Sequence, residues 1–182
     1  MKKYDVIIVG AGAGGVFTSY ELTKLKSKAK VLMIDKGLPL EERLCPIKTD
    51  VSETCIKCEP CNIMNGFGGA GTLSDGKYNI TNEFGGELHL RTGQDKALDL
   101  MNYVDSILCE NGGSEAKLYS TASSDLKTVA LRNNLHLLDA KVRHLGTDRN
   151  VGILSKIYNF VQNNVDMLFS VTSSESIHLI FT

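Results

Sequence analysis

The stretch IIVGAGAGGVFTSYEL, Ile7 to Leu22, decides how the rest of the chain is read. Gly10, Gly12, Gly14 and Gly15 crowd into six residues, directly after the β-branched run Val6-Ile7-Ile8-Val9. A surface linker explains glycines but not the apolar run before them. The placement predicts a strand buried on both faces, residues 4–9, feeding a tight turn whose backbone comes very close to something. A helix follows from Val16 to Lys26, with Phe17, Tyr20 and Leu25 available to one face. A second apolar run, Lys30 to Asp35, ends on an acid. Strand, glycine turn, helix and strand in about thirty residues make a βαβ unit with a right-handed crossover.

Gly10, Gly12 and Gly15 fit G-x-G-x-x-G, which gains meaning from the strand before it and the helix after it. Gly10 permits the turn, Gly12 leaves no side chain where a pyrophosphate lies, and Gly15 lets helix and strand pack closely. The unpaired amides at the helix start, those of Gly14 and its neighbours, face phosphate. Asp35, twenty-five residues after Gly10, stands where an acid accepts bonds from ribose hydroxyls, with Lys36 beside it. An acid there disfavours a 2′-phosphate. The competing reading is a glycine turn used for packing alone, with Asp35 merely ending a strand.

Farther along, regular periodicity fades between Gly37 and Asn65, where four cysteines and all three prolines gather. Cys55, Cys58 and Cys61 form C-x2-C-x2-C, and Cys45 precedes Pro46. Such spacing lets thiolates converge on zinc or an iron–sulfur cluster. A thiol–disulfide pair, or thiols with no special chemistry, are the alternatives. Cys109 falls in a helical pattern and reads as a small core residue. A second glycine-rich block, GFGGAGTLSDGKYNITNEFGG, spans residues 66–86. Helices are predicted over Gln94 to Asn111, Ser123 to Arg132 and Val151 to Gln162, and strands over Asp166 to Val171 and Ile177 to Phe181.

The quoted motifs carry a resemblance. YDVIIVGAGAGGVFTSYEL resembles the amino terminus of FAD-dependent oxidoreductases with the two-dinucleotide-binding-domain fold. CPIKTDVSETCIKCEPCNIMNGFGGAGTLSDGKYNI, with RHLGTD (Arg143 to Asp148), is similar to a group of poorly characterised bacterial FAD-dependent dehydrogenases. That group is distantly related to the geranylgeranyl-reductase-like flavoproteins, and the resemblance runs from residue 4 to about residue 170. It implies a Rossmann-like α/β domain for FAD or NAD(P), three layers around a parallel sheet, incomplete at the carboxyl end. It also implies that Gly68, Gly69, Gly71, Ser74 and Asp75 approach the flavin. RHLGTD would then precede a helix leading to the third strand, with Thr147 and Asp148 as N-cap. His144 becomes a candidate acid–base residue, with a structural histidine as the alternative.

One domain of residues 1–182 is expected, with a Cys/Gly-rich excursion over about 38–90 and a helical segment over about 94–150. The FAD would carry electrons between a donor such as NAD(P)H and an unidentified small-molecule substrate or acceptor. A substrate domain and a late Gly-Asp strand are not recognisable before Thr182, so the chain reads as an amino-terminal portion. A non-catalytic nucleotide-binding or redox-sensing module, or an NAD-binding protein without flavin, are the other readings.

Composition agrees with a soluble globular domain. Hydrophobic residues make up 42% and charged residues 23%, and the net charge is −1. That near-neutral balance, with no Trp, argues against nucleic acid as a partner. No run approaches the ~18 apolar residues of a membrane span. Five cysteines, an odd number, suggest a reducing cytoplasmic setting. An unpaired apolar sheet edge would favour self-association.

Overall fold

The computed structural model describes residues 2–171. The chain divides into two compact units, one made of residues up to Leu73 together with those from Leu154 onward, the other of Ser74–Ile153.

The first unit is built on a parallel sheet of β1 (Val6–Val9), β2 (Val31–Ile34) and β6 (Val165–Leu168), in the order β1-β2-β6. Val6 lies opposite Val31, and Val31 opposite Val165. Central β2 is apolar throughout, and all four of its residues are buried. That is the pattern of a strand covered on both faces. Among the described residues β1 is an edge strand, and its last residue, Val9, is 73% exposed.

Between β1 and β2 runs α1 (Ala13–Lys24), which starts three residues earlier than the sequence pattern suggests. Its inward face is Val16, Ser19, Tyr20 and Thr23, at the i, i+3, i+4 and i+7 spacing of a helix stripe. The expected face through Phe17, Tyr20 and Leu25 is therefore corrected. Leu25 is 73% exposed and Phe17 only half-buried. Gly15, pressed against β1, sets this rotation, and the Ser19 hydroxyl settles 3.6 Å from the Met33 sulfur. Tyr20 meets Phe160 with ring centroids 5.0 Å apart, and Phe67 meets Tyr158 edge-on at 4.9 Å.

The second unit carries an antiparallel sheet, β3 (Lys77–Ile80), β4 (Leu118–Ser120) and β5 (Lys141–His144), ordered β3-β5-β4. None of these three strands was expected from the sequence. Each has three or four residues and exposed polar positions, so no apolar run announces it. Helices α2 (Leu88–Thr92), α3 (Gln94–Glu110) and α4 (Ser124–Arg132) complete it. α3 buries Ala97, Asp105, Ile107 and Leu108. Arg143 on β5 donates to both oxygens of Asp105, at 2.6 and 2.8 Å, and to the Ala116 carbonyl.

α5 (Thr147–Val161) starts four residues before the expected helix. Thr147 and Asp148 therefore lie inside its first turn rather than capping it, and the Asn150 amide bonds the Gly146 carbonyl at 3.0 Å. β6 follows α5, as the resemblance implies for the third strand of the sheet. The strand expected over Ile177 to Phe181 lies outside the described residues. No helix among the described residues is long and apolar enough to cross a membrane.

Candidate functional site

The glycine turn after β1 is fixed by main-chain bonds. Gly10, at φ +98°, a left-handed value that disfavours side chains, donates to the Ile34 carbonyl at 2.7 Å. Gly15 is demanded by packing, because a Cβ there would fall 2.0 Å from the Gly10 carbonyl oxygen. Gly12 is different. Its φ of −70° suits any residue, and a Cβ on it would meet nothing within 4 Å. Nothing in the chain's own packing asks for a glycine at Gly12, so the space beside it stays clear.

Gly12 is also the N-cap of α1, with no side-chain capping bond. The first helical bond runs from the Val16 amide to the Gly12 carbonyl at 2.9 Å, so the amides of Ala13, Gly14 and Gly15 precede it. Ala13 and Gly14 are exposed. These amides and the helix dipole favour an anion in that clear space.

The second glycine block forms the opposite wall. The Gly68 amide donates to the Ala11 carbonyl at 2.7 Å, and a Cβ on Gly69 would come within 3.1 Å of the Gly12 Cα. Gly69–Gly71 is a short 3-10 turn, tied by the Thr72 hydroxyl to the Phe67 carbonyl at 2.9 Å. The two glycine segments, more than fifty residues apart in the chain, meet backbone to backbone.

Asp35 joins them. Its Oδ2 accepts from the Ala11 amide at 2.7 Å, and its Oδ1 accepts from Gly37 at 2.7 Å and Gly66 at 2.9 Å. A carboxylate has about four acceptor positions, so about one remains, on Oδ2. Asp35 is thus first a clamp between the two glycine segments. Lys36 next to it is exposed.

Arg43 was not singled out in the sequence. Only 3% exposed, it donates to four main-chain carbonyls: Asn62 at 3.0 Å, Phe67 at 2.6 Å, Ile63 at 2.7 Å and Gly69 at 2.9 Å. The second glycine block is wrapped around this guanidinium. Burial lowers its proton affinity from the ordinary value, while the nearby Asp35 carboxylate and Cys61 thiol act in the other direction. An arginine beside two glutamates in a polar stretch looks like any surface charge, and carbonyl acceptors leave no mark in sequence.

Ser74, Asp75 and His144 belong to the second unit. The Ser74 hydroxyl accepts from the Gly76 amide at 3.4 Å. Asp75 pairs with Lys77 at 2.8 Å, and that bond holds its carboxyl below the ordinary range. His144 is exposed on β5, opposite Lys77.

The cysteines are not gathered into a metal-holding group among the described residues. Cys45, Cys55, Cys58 and Cys61 are free thiols, and the described residues contain no group of three or more His, Cys, Asp or Glu placed to hold a metal ion. The path of the segment is set locally instead. The Cys45 carbonyl accepts from the Thr49 amide at 3.1 Å, and the Cys61 carbonyl from Met64 and Asn65 at 3.1 and 3.0 Å. Two-residue spacing permits convergence but does not impose it. Cys109 is half-buried in α3, where burial pushes its thiol pKa up.

No family model matches the chain. A 36-residue stretch is 58% identical to part of an uncharacterised protein of Methanosarcina barkeri, covering 20% of this chain and 9% of that one. Among solved structures, an L-amino acid deaminase from Proteus vulgaris superposes with a TM-score of 0.38 at 13% identity, over 93% of this chain and 40% of the deaminase. The L-amino acid deaminase of Proteus myxofaciens, in complex with anthranilate, gives 0.35 at 12%, over 96% and 41%. The chain thus spans less than half the length of each. Likeness at that level adds nothing to the chemistry of the site.

Proposed function

We propose that the first unit binds a dinucleotide, FAD, and forms the nucleotide-binding part of an FAD-dependent oxidoreductase. The observation that carries this reading is Gly12. It is a glycine that neither its φ nor its neighbours require, placed at an uncapped helix start and faced by Gly69, on which a Cβ would come within 3.1 Å of the Gly12 Cα. A diphosphate fits that combination of clear space, free amides and positive dipole end.

In this reading Gly10, Gly12 and Gly14 supply main chain to the diphosphate, and Gly69 limits the cleft from the other side. Gly15 keeps α1 aimed at it. Asp35 holds both walls together and turns its remaining acceptor position to a ribose hydroxyl, with Lys36 at the rim. When bound, FAD supplies the redox chemistry. The protein binds it, orients it and keeps water from part of it.

Gly12→Val tests the proposal. Titration with FAD, followed by flavin fluorescence, should show affinity reduced at least about a hundredfold, since a side chain displaces the diphosphate. The circular dichroism spectrum and thermal midpoint should stay near wild type. Unchanged FAD affinity in a folded Gly12→Val protein would sink the reading. NAD binding without FAD binding would move it to a nicotinamide site. Bound flavin that dithionite or NAD(P)H cannot reduce would mark a module that does not turn over.

The exposed β1 edge is proposed as a route of self-association. Sedimentation should show concentration-dependent dimers that Val9→Lys weakens.

A further inference from the structure

Residues 45–61 hold four of the five cysteines, and the proposed dinucleotide site uses none of them. Two pairs within the segment share one spacing, Cys55-x2-Cys58 and Cys58-x2-Cys61. The sequence treats these pairs alike, and the fold does not. Between Cys58 and Cys61 the chain bends at both Glu59 and Pro60, whereas it bends at neither Ile56 nor Lys57. A disulfide needs Cα atoms about 4–7 Å apart, and a chain that turns through four residues brings its ends within about 7 Å. Cys58 and Cys61 are the two ends of the doubly bent stretch. Both are half-buried free thiols, while Cys55 is exposed.

The two thiols differ in how firmly their backbone is held. The Cys61 carbonyl accepts from the Met64 and Asn65 amides at 3.1 and 3.0 Å, and from the Asn65 Nδ2 at 3.0 Å. Arg43 grips the next two residues through the carbonyls of Asn62 at 3.0 Å and Ile63 at 2.7 Å. Cys58 sits on an arm without such ties. No hydrogen bond or ion pair joins residues 55–60 to any other described residue. An anchored thiol and one on an untethered arm can be linked without breaking a bond that the fold makes.

We propose that Cys58 and Cys61 are a redox-active dithiol that exchanges with small-molecule disulfides, R–S–S–R. One protein thiolate attacks a sulfur of R–S–S–R, the S–S bond breaks, and one RSH leaves with the attacking thiol's proton. The second protein thiol then attacks the mixed disulfide. A Cys58–Cys61 bond forms, the protein–SR bond breaks, and the second RSH leaves with the remaining proton. The protein gives up two electrons and two protons, and the disulfide becomes two thiols. The pair lies wholly in the first unit and is independent of the dinucleotide reading.

The test equilibrates the reduced full chain with oxidised glutathione, quenches with acid and caps free thiols with N-ethylmaleimide. Trypsin cuts after Arg43, Lys48 and Lys57, so Cys45 and Cys55 leave on separate peptides while Cys58 and Cys61 stay together in residues 58–77. By mass, that peptide should be two hydrogens lighter and uncapped. In the folded chain the Cys58–Cys61 bond should outnumber a Cys55–Cys58 bond at least about tenfold. In concentrated urea, where the bends are gone, the two equally spaced pairs should form nearly alike. Cys58→Ser should trap glutathione on Cys61, because the resolving thiol is missing, and Cys55→Ser should leave the wild-type bond unchanged. Equal amounts of the two bonds in the folded chain, a main product that includes Cys45, or glutathione that persists on Cys58 and Cys61 of the wild-type chain would each overturn the proposal. So would zinc or iron in the purified chain that leaves only when these thiols are capped. Should Cys58→Ser fail to fold, the comparison of folded and urea-treated wild-type chain decides.

Discussion

Arg43 in the first unit and Arg143 in the second are both nearly out of water, 3% and 8% exposed, yet they are held in opposite ways. Arg143 faces a carboxylate, donating to both oxygens of Asp105, and that bond raises its proton affinity. Arg43 bonds only main-chain carbonyls, and burial lowers its proton affinity. Asp35 is within electrostatic reach of Arg43 but gives its oxygens to amides. The difference teaches how a buried charge can be used. A guanidinium neutralised by its own carboxylate is a closed structural joint between α3 and β5. One satisfied by carbonyls organises a loop and keeps its positive field, beside the cleft where the proposed diphosphate sits.

Breaking the closed joint should have the larger effect. Asp105→Ala leaves Arg143 buried with the Ala116 carbonyl as its remaining bonded partner, and urea unfolding should report a loss of about 3–5 kcal/mol. Replacing both partners, Arg143→Met with Asp105→Leu, should recover most of that loss, because the cost comes from the stranded charge. A loss below about 1 kcal/mol in the single variant would mean that the pair behaves as a surface pair, and the contrast with Arg43 would collapse.

Arg43→Met comes next. It strips donors from the carbonyls of Asn62, Ile63, Phe67 and Gly69, though Phe67 and Gly69 keep the Thr72 hydroxyl and amide as partners. A loss of about 2–4 kcal/mol is expected. Arg43→Lys keeps the charge but cannot span four carbonyls from one ammonium. If field alone matters, Arg43→Lys binds FAD as wild type does. If the arginine acts by shaping the loop, both variants lose affinity together. The second outcome is expected, because Gly69 is one of the four acceptors and also the residue that approaches Gly12.

The same contrast explains what was legible in the sequence. The βαβ unit was readable because its signals are local: an apolar run, a glycine turn, a helix stripe and another apolar run. Even so, the face of α1 was misjudged, since its phase depends on Gly15 meeting Gly10 rather than on periodicity. Gly10, Gly12, Gly15 and Asp35 could be picked out by type and spacing, but the clamp made by Asp35 depends on Gly66, thirty-one residues away. Arg43 was invisible because its acceptors, 19 to 26 residues on, are backbone atoms that any sequence possesses. The second sheet hid for a related reason. A strand such as Lys77–Ile80, with one buried residue, is created by its pairing and not by its own composition. The cysteines show the limit of spacing alone: C-x2-C-x2-C can be read from the sequence, but whether the thiols converge depends on turns that the spacing does not encode.

An exposed pair supplies the lower reference for both arginines. Asp166 on β6 accepts from the Tyr4 hydroxyl at 2.8 Å and from Lys2 at 3.0 Å, with the Lys2 and Asp166 side chains 78% and 49% exposed. These bonds, the Tyr4 hydroxyl first, hold the Asp166 carboxyl below its ordinary range. A carboxyl lowered in the folded state contributes stability that is fully present above the unfolded value, about pH 4, and is lost as pH falls through the folded value. Urea midpoints for wild type and Asp166→Asn should therefore differ slightly at neutral pH and converge in acid. High salt should shrink the neutral-pH difference, since both partners stand in water. The buried Asp105–Arg143 pair should resist the same salt. If the two pairs respond alike, burial is not what separates them, and the distinction between a closed joint and an open charge fails at its simplest control.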